Sequence, residues 1–286
     1  AYEILTCDWS SDVCSSDLIG SSIINIYSRS PSLIAMGAVT VDTISNGRLI
    51  QGLGTSSMPI VEEFHGIKFE KPVLRMKEYV EIIRLVLSGK QVNYDGNFFK
   101  LKNFSLLIKP IRNSIPIYLA AVNQKMVELT WELADGVIFY LRPLSELKNT
   151  IEKMQSKKKI DVSCQLITCV SEDSDKAIDR AKKTLAFYVS VGEIYRNFLA
   201  KNGFQKETQE IFEEFKIKLE YYNEKKKKLE EIKKINNFGY KFNKEIIEKI
   251  NKFKFYIIKK EFLNNNKNYE IISLYKDRKS TRLNSS

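Results

Sequence analysis

The 286-residue chain contains no apolar run long enough to span a membrane and no recognisable signal peptide, so a soluble, cytoplasmic protein is expected. Cysteine is scarce. Of the four, Cys7 and Cys14 fall in a stretch with no structural period. Cys164 and Cys169 sit five apart on one expected strand and would face opposite ways. That argues against a shared metal site, and for two small core residues in a reduced protein. Histidine is scarcer still, with His65 alone. Glycine thins out along the chain, and after Gly203 only Gly239 remains.

Acidic charge is what the C-terminal third lacks. The first 200 residues carry 24 Lys and Arg against 22 Asp and Glu, whereas the remainder carries 22 against 13. The net charge of +11 therefore belongs mainly to the end of the chain, around Lys225–Lys228 and the run Asn264–Asn266. Basic residues interleaved with aromatics are compatible with nucleic acid. A solvated helix with Leu219, Tyr222, Leu229 and Ile232 on its buried side is the simpler reading, and a nucleic-acid partner is not expected.

What is present is an alternation. Ile19–Ile26, Arg48–Leu53, Ile117–Ala121 and Gly136–Leu141 are short, mostly apolar runs. Pro31–Ile44, Pro72–Leu87 and Gln124–Ala134 have helical spacing between or after them. Strand–helix–strand order implies parallel strands with right-handed crossovers, and strands buried on both faces read as continuous apolar runs. Ser30-Pro31 reads as an N-cap followed by proline at the first helical position. Gly89 can close the second helix. Asp95-Gly96 marks a tight β-hairpin in Val92–Leu101. Val162–Val170 reads as a further strand, and acidic Ser171–Asp173 opens a helix from Ser174 to about Val189. On such folds ligands sit at the carboxyl ends of the strands. Functional residues are thus expected just after each run.

Several motifs resemble the luciferase-like oxidoreductases: Ser28–Pro31, Asn46–Thr55, Phe64-His65-Gly66, Tyr118–Asn123 and Glu132–Val137. They run collinearly from about Ile19 to about Phe215. The closest branch is typified by methylenetetrahydromethanopterin reductase, which uses the deazaflavin coenzyme F420. The resemblance implies a (β/α)8 TIM barrel of the luciferase-like type. Ile19 would open its third strand, so the barrel would be N-terminally truncated with the first two strands missing. Residues 19–215 would form the partial barrel and 216–276 a Lys/Asn-rich helical tail. No eighth strand or glycine-rich phosphate loop is evident in that tail. Ala1–Thr6 resembles part of the family's second helix. Cys7–Leu18 and Asp277–Ser286 resemble translated sequencing adapter and are set aside from the fold.

The resemblance also implies a site. Ser22, Ile23, Ile24 and Asn25 would form a bulge, often with a cis non-proline peptide, that backs the deazaflavin ring. Gly52, Leu53, Gly54 and Thr55 would let the ring approach the backbone. Ala120, Ala121, Val122 and Asn123 lead into a helix whose N-terminus suits a phosphate. Tyr27, Arg29 and His65 are the candidate substrate contacts, with His65 the natural proton donor near neutral pH. The implied function is hydride transfer between coenzyme F420, or alternatively flavin mononucleotide as in a monooxygenase, and a small organic molecule. A homo-oligomer is implied. A non-catalytic barrel remnant with a basic interaction tail is the alternative from another class.

Overall fold

The computed structural model describes residues 18–228, 256–260 and 269–273, with side chains as far as residue 220. The readings of Ala1–Asp17, Leu229, Ile232, Gly239, Asn264–Asn266 and Asp277–Ser286 lie outside the described residues, as does the side chain of Tyr222. The chain divides into two compact units. One extends to Ile138 and takes in Lys157–Ser163, and the other comprises Phe139–Ser156 and the chain from Cys164 onward.

In the first unit the elements follow the expected alternation. They are β1 (Ile19–Gly20), β2 (Ile24–Asn25), α1 (Pro31–Ile44), β3 (Leu49–Gly54), α2 (Pro72–Leu87), β4 (Val92–Asp95), β5 (Lys100–Phe104), β6 (Ile117–Ala120), α3 (Gln124–Leu133) and β7 (Gly136–Tyr140). α4 (Leu144–Gln155) and β8 (Asp161–Gln165) follow. The sheet runs β1-β3-β6-β7-β8, with β2 also paired to β3, and β1, β2, β3, β6 and β7 are parallel. Among the described residues it is a curled α/β half-barrel with a six-stranded sheet. Leu53, Ile117, Leu119 and Val137 are fully enclosed, as parallel strands between helices should be. Along α1, Leu33, Met36, Val41 and Ile44 remain exposed.

Local chemistry sets the boundaries. Ser30 caps α1 by accepting the Leu33 N–H, and Pro31 begins the helix. Asp42 near the end of α1 is buried and accepts the Leu49 N–H at 3.2 Å and Arg112 Nε at 2.9 Å. That carboxylate ties the start of β3 to the loop before β6. Gly136 is required because the Tyr118 ring lies over it, and a Cβ there would sit 2.6 Å from the ring. The Tyr118 hydroxyl donates to Asp161, and together burial and that carboxylate push the phenol up to about 12.

Three sequence readings need correction. The hairpin turn is tight but lies two residues later than read: Gly96 N–H donates to Phe99 O, so Asn97 and Phe98 make the turn and Asp95-Gly96 precede it. Gly96 is needed for space, since a Cβ would lie 2.5 Å from the Glu78 carboxylate and 2.6 Å from the Tyr94 ring. Secondly, α4 was not foreseen, although Leu144, Leu147, Ile151 and Met154 carry a helical period. Thirdly, β8 ends at Gln165 and is mostly exposed, so Cys164 and Cys169 share no strand. Cys164 is exposed and Cys169 half-buried, and neither is a core residue. Among the described residues no cluster suits a metal, and no helix is long and apolar enough to cross a membrane.

The second unit contains α4, then α5 (Ser174–Val191), α6 (Glu193–Leu199) and α7 (Gln205–Lys228), around Leu141, Leu185, Val189, Leu199 and Ile211. Asp173 caps α5 through the N–H groups of Asp175 and Lys176. Leu219, expected on the buried side of the basic helix, is exposed. β9 (Tyr256–Lys260) and β10 (Tyr269–Ser273) pair antiparallel with each other, so neither supplies the parallel eighth strand of a barrel.

Glu78 on α2 is buried and anchors the β4–β5 loop, accepting N–H groups from Asn97 at 2.8 Å and Phe98 at 2.9 Å. Burial pushes its carboxyl up, but these donors outweigh burial and hold it below the ordinary value. A carboxyl depressed in the folded state stabilises above its unfolded pKa and loses that contribution as pH falls through the folded one. Glu78→Gln should therefore cost roughly 1 kcal/mol or more at neutral pH. Thermal melts from neutral to acid pH should show the gap from the parent closing on the acid side. A gap independent of pH would contradict this reading of Glu78.

Candidate cofactor site

The site begins as a mismatch in the sheet. Gly20 faces Ile50 and Ile24 faces Leu53, so four steps on one side oppose three on the other. One extra residue must bulge out between β1 and β2. The Ser22–Ile23 peptide within it is cis, as the resemblance implies for this position. Ser21 repairs the broken ladder with its side chain. Its hydroxyl donates to Gly52 O at 3.0 Å and accepts the Gly52 N–H at 3.0 Å. Buried Gln51 adds its Nε2, 3.1 Å from the same hydroxyl and 3.2 Å from Gly52 O.

This bulge explains the glycines of β3, and the reason differs from the one expected. A Cβ on Gly52 would lie 1.8 Å from Ser21 O. A Cβ on Gly54 would lie 2.5 Å from Ile23 Cδ1 and 3.4 Å from the Ala120 Cβ. What approaches this backbone so closely is the chain's own bulge. The sequence reading of a ring lying directly on Gly54 is corrected accordingly. The surface offered by the bulge is half-buried Ile23, Ile24 and Asn25, with Ala120 beside Gly54.

The other expected residues fall as follows. Leu53 and Ala121 are fully buried, so they can meet a ligand only through backbone. Thr55, Ser56 and Ser57 follow β3 half-exposed, and Ser56 holds a φ of 60°. Beyond β6, Val122 is half-exposed and Asn123 caps α3, its Oδ1 accepting the Met126 N–H at 3.2 Å. The first N–H groups of α3 have no partner within the helix and carry the positive end of its dipole. The set Ile23–Asn25, Gly52–Thr55 and Ala120–Asn123 thus shares the carboxyl ends of adjacent strands β2, β3 and β6.

The three substrate candidates separate. Tyr27 is buried, and its hydroxyl donates to Glu70 O at 3.1 Å, so its phenol holds a loop. Burial raises its pKa, partly offset by Arg75. Arg29 is exposed, and its carbonyl accepts the Tyr79 hydroxyl at 3.0 Å. His65 is exposed at the end of the helical turn Ile60–Phe64, where its backbone N–H donates to Glu62 O. None of these contacts brings His65 to the strand ends. Ser21, Gln51 and Arg75 were missed by the sequence reading. Gln51 had a signal, a polar residue inside an apolar run; the other two had none.

Comparison with known proteins places this geometry. The model of a family described as luciferase-like monooxygenase matches residues 18–236. A 5,10-methylenetetrahydromethanopterin reductase of Archaeoglobus fulgidus is 36% identical over 180 residues, 60% of this chain and 53% of that one. The structure of a coenzyme F420-dependent tetrahydromethanopterin reductase from Methanopyrus kandleri superposes with a TM-score of 0.55 at 27% identity, covering 61% of this chain and 57% of that one. An F420-dependent secondary alcohol dehydrogenase in complex with an F420–acetone adduct shares the fold, with a TM-score of 0.54 at 21% identity over 62% of this chain and 57% of that one. The chain spans about half the length of the curated relatives it matches.

If the bulge seats Ile23 against Gly54, the two positions must be coupled. Gly54→Ala alone should displace Ile23 and cost about 1–3 kcal/mol, as overpacking does. Ile23→Ala should relieve most of that cost in the double variant. Additive denaturation free energies would show that Ile23 does not fill the space above Gly54.

Proposed function

The chain belongs to the luciferase-like monooxygenase family, and from that premise we propose that its site binds coenzyme F420 and serves hydride transfer to or from a small organic substrate. The observation that carries the reading is the Ser22–Ile23 bulge beside Gly54 and Ala120, a half-buried surface of Ile23, Ile24 and Asn25 at the strand ends. The residues fit a flat ring system, and the Methanopyrus kandleri reductase to which the chain is similar is F420-dependent by name. When bound, the deazaflavin supplies the carbon that carries the hydride.

The chain's own residues then have distinct tasks. Ile23 and Ile24 exclude water from one face of the ring, while Asn25 holds the following turn through its side chain, which accepts the Tyr27 N–H at 2.9 Å. The N-terminus of α3, capped by Asn123, receives a phosphate. The hydroxyls of Thr55 and Ser56 would hydrogen-bond the ring edge or the substrate. His65 is the candidate proton donor, from the exposed turn after β3. The partial barrel is proposed to end near residue 215, and the basic helix after it takes no part in the site.

Coenzyme F420 is favoured over flavin mononucleotide because both the motifs and the named relatives belong to the F420-dependent branch. Fluorescence titration with each cofactor tests the proposal. F420 should bind at least about tenfold tighter than flavin mononucleotide, a difference of about 1.4 kcal/mol. The opposite order would move the chain to the monooxygenase side, and binding of neither would leave the reading of a non-catalytic remnant.

A further inference from the structure

Arg75 occupies an unusual place for a cation. Its guanidinium lies 4.7 Å from the ring centre of Tyr27, 4.9 Å from that of Phe98 and 5.0 Å from that of Phe99. Nε and Nη1 are buried without a hydrogen-bond partner. Other arginines of the chain are matched by oxygen: Arg112 by Asp42, Arg84 by Leu133 O and Asp135, and Arg196 by Val189 O and Ser190 O. The acids around Arg75 are engaged elsewhere. Glu70 pairs with Lys68, Glu78 holds Asn97 and Phe98, and Glu81 accepts the Tyr94 hydroxyl.

Three features indicate that this charge is not there for stability. Buried N–H groups without a partner are costly, and three ring faces offset only part of that cost. Arg75 also stands in the first turn of α2, the end of a helix where the dipole disfavours cations, and that turn contains no acidic residue. Finally, a second arginine, Arg29, is tied to the same helix through its backbone carbonyl. Its carbonyl accepts the Tyr79 hydroxyl, and Arg29 and Arg75 both act electrostatically on that phenol. Two cations that act on one phenol, with no carboxylate among the groups that act on it, are a constellation that an anion would complete.

We propose that Arg75, with Arg29, receives a phosphate or carboxylate group of the ligand bound at the strand ends, with the aromatic cage holding the guanidinium in place for it. The inference rests on the proposed cofactor site, because Tyr27 of the cage follows Asn25 by two residues. Nε and Nη1 are the buried N–H groups left open, and much of the effect of Arg75 on the anion is electrostatic. A half-buried charge is screened less than one in open water and acts more strongly on a nearby anion.

The charge-bearing group has two sources, the acidic side chain of coenzyme F420 or the substrate. Three chains are compared: the parent, Arg75→Met, which keeps length and packing without the charge, and Arg75→Lys, which keeps the charge without the planar fork. Each is titrated with F420, with the neutral deazaflavin riboside that lacks the charged side chain, and with inorganic phosphate in the presence and absence of the riboside. If the anion belongs to the cofactor, Arg75→Met weakens F420 by about tenfold or more and leaves the riboside unchanged. If it belongs to the substrate, Arg75→Met leaves F420 unchanged and abolishes phosphate binding to the riboside-loaded chain. Arg75→Lys recovers most of the loss in either case, and Arg75→Met melts no lower than the parent.

Equal binding of all three probes by parent and Arg75→Met overturns the proposal. So does a loss of melting temperature that parallels the loss of binding and is not recovered by Arg75→Lys, because that marks a packing role. Should Arg75→Met fail to fold, the Arg75 Nε–H resonance of the parent decides: a shift on adding phosphate supports the site and no shift overturns it. Phosphate acts on the chain without any deazaflavin, so failure of the F420 reading leaves this arm intact and distinguishable.

Discussion

One extra residue between β1 and β2 organises the first unit. Because Gly20 opposes Ile50 and Ile24 opposes Leu53, the strand cannot continue its ladder through residues 21–23. The backbone groups left over need partners, and the Ser21 hydroxyl supplies them by bonding both the N–H and the carbonyl of Gly52. The bulge also needs room, and only glycine provides it at 52, where a Cβ would fall 1.8 Å from Ser21 O. A single irregularity in register thus dictates a serine, two glycines and a buried glutamine. It also turns Ile23–Asn25 toward the open ends of the strands.

The surrounding contacts hold that irregularity from two sides. At the start of β3, Asp42 and Arg112 fix Leu49 and so the strand that the bulge leans on. Beyond the other end, the turn after β2 is held by Asn25, whose side chain accepts the Tyr27 N–H, and by the Tyr79 hydroxyl on Arg29 O. Tyr79 packs edge-on against Phe99 of the loop that Glu78 anchors. The hairpin excursion is therefore a brace for the segment after β2, although it is distant in sequence. Such a brace keeps a loop near its bound geometry, which reduces what binding must spend on ordering it.

Much of the fold was legible because its signals are local. Pro72–Leu87 reads directly from its apolar period and the glycine beyond it, and α1 from Ser30-Pro31. The parallel order followed from apolar runs separated by helices. The bulge was not legible from residues alone, since Ile19–Ile26 looks like one uninterrupted strand. Only the resemblance placed an irregularity there. The glycines of β3 were visible, but their neighbour was not: sequence shows that something approaches Gly54 and cannot show that it is Ile23. Gly96 was misread for the same reason, as a turn former where it is a space for Glu78. α4 was missed because its charged face obscures a regular apolar one, and Arg75 because a cage of rings is assembled from three separate segments.

The central claim is that the deazaflavin ring lies on the bulge, and contact between specific atoms tests it most directly. In a chain labelled at isoleucine methyl groups, nuclear Overhauser effects from the ring protons of bound F420 should reach the Ile23 and Ile24 methyls. Those of buried Ile117 should receive none. Saturable binding of F420 with no effect at Ile23 or Ile24 would place the ring elsewhere and contradict the site described here.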